Sequence, residues 1–226
     1  MSINTTIRLL RMNLECFKAY DVRGRVPDQV NETIAKRIGR AYAEVIKPQS
    51  VVVGHDIRLT SESIKMALID GLVEQGITVK DIGLCGTEEI YFATNHLGAG
   101  GGIVVTASHN PVEWNGLKFV REDSTFFHPE ECEELFKLVD KKIVIDSSKE
   151  VGIHWPEKNA IQKHIISCAT LKCINLNRIQ KRKFKIVIDA VNGAGSNALP
   201  DLLKSLGCDV IELYCEPNGD FKRGTE

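Results

Sequence analysis

The segment TASHNP, residues 106–111, follows a run of β-branched residues and packs Ser108, His109 and Asn110 together ahead of Pro111. Lys118 comes ten positions after the serine, inside NGLKF. Adjacent side chains of an extended chain point to opposite sides, so Ser108 and His109 are poorly placed to act as a nucleophile and its base. No G-x-S-x-G elbow surrounds Ser108 either, and acyl-transfer hydrolysis is a poor fit. Phosphoryl transfer suits these residues better, because it asks for donors and cations fixed around spreading negative charge. Ser108 can carry a phosphate, His109 and Asn110 can donate to its oxygens, and Pro111 stiffens the loop by restricting Asn110. Lys118 can neutralise charge, or take a proton where desolvation lowers its pKa. On composition alone plainer alternatives stand beside these: a capping serine in an Asn-Pro turn and a solvated charge on a strand.

Such groups need rigid supports. After Asn31, residues Ile34, Ile38, Ala41, Tyr42, Val45 and Ile46 recur at helical spacing, with Val30 placed to staple against Ile34, so a helix runs from about Asn31 to Ile46. SVVVGHDIR, the helical SESIKMALIDGLVEQG and ITVKDIG form a βαβ unit whose strands are parallel. A short helix over Glu88–His96, a third strand in GGGIVVTA, a turn into another strand at NGLKF and an acidic helix near Glu130 to Val139 follow. Ligands of open parallel sheets gather beyond the carboxyl ends of strands, where residues 106–111 fall. His55 and Arg58 end another such strand and point toward the same crevice, but stay outside the catalytic set.

Periodicity fades over residues 141–156. The tail then repeats the theme: strand KFKIVIDA, turn VNGAG, helix SNALPDLLKSLG and strand CDVIELY. The expected fold is α/β, a mixed, mostly parallel sheet flanked by helices and followed by an incomplete, similar α/β domain. The expected boundaries are a disordered extension over 1–13, a serine-bearing domain over 14–152 and the second domain over 153–226. Two strands and two helices leave apolar faces uncovered, so that domain is expected to stop part-way.

With 29 Lys and Arg against 30 Asp and Glu among 226 residues, the chain has no global pull toward nucleic acid or membrane. The basic run RIQKRKFK, residues 178–185, reads as a solvated linker. Seven scattered cysteines without a C-x-x-C pair indicate reduced thiols and a cytoplasmic location, and no apolar run reaches membrane-spanning length. GAGSNA formally satisfies G-x-G-x-x-A, with Glu212 nineteen residues after Gly193, although AVN separates the strand from the first glycine. A nucleotide-binding α/β module built on Gly193 and Gly195 is therefore an alternative function.

TASHNP, NGLKF after it and FKAYDVRG near the front together resemble the α-D-phosphohexomutase family, the phosphomannomutases and phosphoglucomutases, and GTEEIYFAT is similar to its bacterial phosphomannomutase branch. The likeness runs from about Leu14 to the end. It implies an isomerase of carbohydrate metabolism, an intramolecular phosphotransferase that feeds nucleotide-sugar synthesis from mannose or glucose 6-phosphate and 1-phosphate. It further implies that Ser108 is a phosphoserine working through a hexose 1,6-bisphosphate and that Lys118 is the general base. His109 and Asn110 would shape the loop, with Tyr20 and Arg23 beside phosphoserine and substrate. Mg²⁺ is the implied cofactor, with a phosphate oxygen on Ser108 as one ligand. Members of the family continue through four domains, and their Asp-rich metal loop, sugar loop and C-terminal phosphate clamp have no counterpart here. The expectation is a truncated chain, inactive alone, or half of a split mutase whose C-terminal half another chain supplies. Residues up to about Arg11 have no family counterpart, which makes Met12 the expected start.

Overall fold

The structure is a computed structural model that describes residues 14–141, 143 and 150–219; the expected extension over 1–13 and the chain past Gly219 lie outside them. Helix α1, Glu32–Ile46, forms where apolar residues recur every three to four positions. The Asn31 side chain accepts a hydrogen bond from the Ile34 amide at 3.0 Å and satisfies one of the open donors at the helix start. Val30 and Ile34 are both buried. Helix α2, Ser61–Val73, crosses α1 at paired glycines: a Cβ on Gly39 would run into the Leu68 carbonyl, and one on Gly71 into that of Lys36. Only glycine lets the two backbones meet this closely.

Six strands make the main sheet: β1 (Asp21–Arg25), β2 (Ser50–His55), β3 (Thr78–Leu84), β4 (Gly101–Val105), β5 (Trp114–Arg121) and β6 (His154–Pro156). Their order is β1-β5-β4-β2-β3-β6. Strands β4, β2, β3 and β6 run parallel, while β5 is antiparallel to both β4 and β1. This is the mixed, mostly parallel sheet expected. Alternation along β2 divides its side chains between two apolar layers. Val51 and Val53 join Ile38, Tyr42, Leu68, Phe119 and Leu135 under α1, α2 and α4 (Pro129–Val139). Val52 joins Ile90, Val104 and Val120 under α3 (Thr87–His96).

One local expectation is corrected. Asn115 and Gly116 do not form a turn but lie within β5, where Gly116 pairs with Arg23. The Asn115 amide is buried and donates to the Thr60 and Ser61 hydroxyls at 2.9 and 3.0 Å, so its polar atoms serve the interior. Gly116 is needed because a side chain there would collide with the Val22 carbonyl. The turn lies earlier, where the Trp114 amide donates to the Pro111 carbonyl at 3.0 Å.

Residues 154–156 pair with β3 and so belong to the main sheet. Helix α5, Ala160–Ala169, then packs back on α3, with the His164 ring stacked on Phe92 at 4.8 Å. Beyond α6 (Leu176–Arg182), strands β7 (Lys185–Asp189) and β8 (Asp209–Leu213) pair in parallel around α7 (Gly195–Ser205) as a separate two-stranded sheet. Val187, Ile211 and Leu213 remain exposed on it. Among the described residues no helix is long and apolar enough to cross a membrane.

Candidate active site

Strand β4 carries the chain through buried Thr106 and Ala107, and Ser108 then emerges exposed at its tip. Its φ of 55° lies in the left-handed region. That conformation costs a non-glycine residue about 1–2 kcal/mol, so neighbouring contacts must hold it. The Ser108 amide donates to the Thr106 hydroxyl at 2.9 Å, and the Ser108 carbonyl accepts from Arg58 Nη2 at 2.9 Å.

Arg58 is 3% exposed. Its Nη2 also reaches the Asn110 carbonyl at 2.6 Å, and its Nη1 reaches those of Pro111 and Trp114 at 2.7 and 2.9 Å. Hydrogen bonds from a charged donor contribute about 1.5–3 kcal/mol each, so one or two of them offset the backbone strain at Ser108. Burial lowers the Arg58 pKa while Asp56 beside it pushes the other way, and a guanidinium stays charged under both influences.

The Asp56 carboxylate ties these pieces together. One oxygen accepts from the Arg58 amide at 3.0 Å and the Ser61 hydroxyl at 2.6 Å. The other accepts from Arg58 Nε at 3.2 Å and the Thr106 hydroxyl at 2.7 Å. The tip of β2, the start of α2 and the tip of β4 thereby share one anchor.

Ser108, Asp56 and Thr106 line a cavity of about 300 Å³ with Glu88 at the start of α3, and its far wall is formed by Val191, Gly193 and Gly195 ahead of and at the start of α7. A second cavity, of about 360 Å³, is lined by Tyr20, Asp21, Arg23, Lys118, Phe126 and Phe127. Lys118 is half-buried there, with its ammonium 5.9 Å from the centre of the Phe126 ring. Burial lowers its pKa, and nearby Arg23 adds to that, while Asp21 and Asp56 pull the other way.

The expected residues therefore fall into two groups. Tyr20, Arg23 and Lys118 share one cavity, and Ser108 lines the other. Arg23 connects them: it donates to the Asn110 side chain at 3.2 Å and to Asp21 at 2.7 Å. His109 is exposed beside Ser108. Arg58, Asp56 and Thr106 lie outside the expected set, although GHDIRLTS at a strand end was the available signal for the first two.

Among the described residues no group of three or more His, Cys, Asp or Glu is gathered to hold a metal ion. Both Asp56 oxygens already accept two hydrogen bonds each. The side chains of the described residues alone do not fit a magnesium site.

Ser108 thus stands at the tip of a parallel strand and faces a second α/β unit across a crevice. Residues 14–144 match the family model for phosphoglucomutase/phosphomannomutase, alpha/beta/alpha domain I, and residues 162–225 match domain II of the same family. The chain belongs to the phosphoglucomutase/phosphomannomutase family. It is 42% identical over 221 residues to a phosphomannomutase of Salmonella montevideo, covering 94% of this chain and 47% of that protein. It is also 42% identical over 220 residues to a phosphomannomutase of Escherichia coli K12, covering 93% and 47%. A solved phosphoglucomutase/phosphomannomutase family protein from Burkholderia thailandensis superposes with a TM-score of 0.76 at 30% identity, over 94% of this chain and 46% of that one. The chain thus spans about half the length of the curated relatives it matches.

Proposed function

We propose that this chain carries the phosphate-bearing serine of a phosphohexomutase, acting on mannose or glucose 6-phosphate and 1-phosphate. The observation that carries the reading is Ser108, exposed at the tip of β4 in a backbone conformation held by a buried donor, Arg58, and a buried acceptor, the Thr106 hydroxyl, within a chain whose relatives are called phosphomannomutases. In the reaction, a substrate hydroxyl attacks the phosphorus on Ser108. The bond to the serine oxygen breaks as the bond to the sugar oxygen forms, and the hydroxyl proton passes to a base. The serine oxygen takes up a proton as it leaves; the bisphosphate then turns around, the serine hydroxyl gives up that proton and attacks the other phosphorus, and the second sugar oxygen–phosphorus bond breaks as that oxygen is protonated.

Lys118 is the base in this reading, because a lowered pKa leaves more neutral amine than an exposed lysine has. Arg23 and Tyr20 meet the substrate's negative charge and hydroxyls, while His109 and Asn110 shape the loop. A phosphate on Ser108 would be one ligand of Mg²⁺, which would offset charge on the transferring group, and among the described residues no group of three or more His, Cys, Asp or Glu is gathered to complete the site. Incubation with labelled hexose 1,6-bisphosphate and Mg²⁺ should place phosphate on the peptide containing Ser108. Label on another peptide, or equal labelling of Ser108→Ala, would reject the assignment.

A nucleotide-binding reading draws on Gly193 and Gly195, which line the Ser108 crevice. The acidic residue it would use for a ribose, Glu212, instead pairs with Lys204 at 2.6 Å. Micromolar NAD or NADP binding abolished by Gly195→Val would nevertheless restore it. The split-mutase reading draws on the exposed apolar residues of β7 and β8. Mixing with a chain that carries the remaining length of the relatives should restore turnover, and no complex with no activity would discard it.

A further inference from the structure

Two tethers hold the peptide groups of Ser108, and both lead to one oxygen. On the amino side, the Ser108 amide donates to the Thr106 hydroxyl, which donates to Asp56 Oδ2. On the carboxyl side, the Ser108 carbonyl accepts from Arg58 Nη2, and Arg58 Nε donates to the same Asp56 oxygen. We propose that Arg58 is the positioning residue of this site: its guanidinium fixes the backbone of Ser108 in the left-handed conformation and so aims the hydroxyl into the crevice. The proposal rests on reading Ser108 as the phosphate carrier, and supplies what that reading lacks, namely the part that keeps the carrier aimed through each transfer.

The geometry requires arginine. Four carbonyls, those of Ser108, Asn110, Pro111 and Trp114, converge on the two terminal nitrogens, while the third nitrogen faces a carboxylate on the opposite side. A planar fork with five donors meets this arrangement; the three donors of a lysine ammonium radiate from one point and cannot span it. Four of its bonds reach backbone carbonyls of the loop, so the residue acts on loop shape, and no contact with substrate is invoked. It also secures the Asn110 carbonyl, while the Asn110 side chain accepts from Arg23, so loop position and the second cavity are coupled.

The test uses the full chain as wild type, Arg58→Ala and Arg58→Lys, with two readouts. The first is hydrogen exchange at the Ser108, Asn110 and Trp114 amides, compared with core amides of α1. Arg58→Ala should raise exchange at least tenfold at those three positions and leave α1 unchanged. Added methylguanidinium should restore protection in Arg58→Ala, while Arg58→Lys should stay unprotected. The second is the rate of phosphate transfer from labelled hexose 1,6-bisphosphate to Ser108, expected to fall at least a hundredfold in both variants and to recover with methylguanidinium in Arg58→Ala. Unchanged protection in Arg58→Ala, or wild-type behaviour of Arg58→Lys, would overturn the proposal. If the wild type takes no phosphate while loop protection still depends on Arg58, the positioning role stands and the carrier reading fails. Should both variants unfold, hydrogen-bond couplings from the Arg58 terminal nitrogens to the Ser108 and Asn110 carbonyl carbons, measured on the labelled wild type, decide: their presence supports the proposal and their absence overturns it.

Discussion

Lys118 lies opposite Asp21 across β1 and β5, yet the Asp21 carboxylate bonds Arg23, at 2.7 Å. The lysine is thus half-buried beside another cation, and both conditions disfavour its charged form. Its neutral amine should therefore appear at a lower pH than that of exposed lysines. Competitive acylation across a pH series, read peptide by peptide, should give Lys118 a midpoint below the others. Arg23→Gln should move that midpoint back up toward the ordinary value. A Lys118 midpoint equal to those of surface lysines would count against a role as base.

Asp81 predicts an acid dependence of stability. Burial works to raise its pKa, but hydrogen bonds from Lys65, the Gly83 amide and His154 outweigh that and leave it lower than 3.8. A carboxylate with a depressed folded pKa stabilises fully above its unfolded pKa, and that contribution is lost as pH falls through the folded value. Denaturant titrations of the wild type should show stability falling below about pH 4, a slope reduced in Asp81→Asn. At neutral pH the variant should lose about 2–3 kcal/mol, because Lys65 is buried and among the described residues keeps Glu62, at 3.0 Å, as its one carboxylate partner. Equal slopes would show that Asp81 titrates alike in both states.

Gly71→Ala sets two effects against each other. Alanine gains about 1 kcal/mol in a helix interior. Here, however, the added methyl meets the Lys36 carbonyl, which belongs to the backbone of α1 and cannot swing away. Overpacking of this kind costs about 1–3 kcal/mol, so net destabilisation is expected. A higher melting temperature for the variant would mean that the helices separate freely.

The thiols should divide by burial. Burial pushes Cys16 up to about 11 and Cys132 up to about 12, and raises Cys85 well above the ordinary range. Cys173 is exposed. A thiol reagent at pH 8 should modify Cys173 within seconds and the three buried thiols only at the rate of unfolding. Rapid labelling of Cys85 in folded protein would contradict the packing under α3.

The alternation and helical recurrence of apolar residues made the sheet and its covering helices legible, because burial on one face leaves a period in the chain. Asn115 shows where that signal stops. Asn-Gly is a strong turn signal locally, but the interior hydroxyls of Thr60 and Ser61, more than fifty residues away, hold it in a strand. Ser108 and its neighbours were legible because their polar types interrupt a strand. Arg58 was less so, since it recognises carbonyls, which every residue carries, and nothing in composition shows where four will converge. That Ser108 lines one cavity and Lys118 another depends on how loop and strand are placed in three dimensions, which spacing alone does not encode.

The far wall of the Ser108 crevice comes from the turn between β7 and α7, where Val191 and Asn192 both hold positive φ values of 44° and 58°. The slot is thus cut between two blocks: the larger holds the serine and its tethers, and the smaller supplies the opposite wall. A substitution in the 190–195 turn would reshape that wall while leaving every tether of the serine backbone in place, so the shape of the slot and the aim of the serine answer to different parts of the molecule.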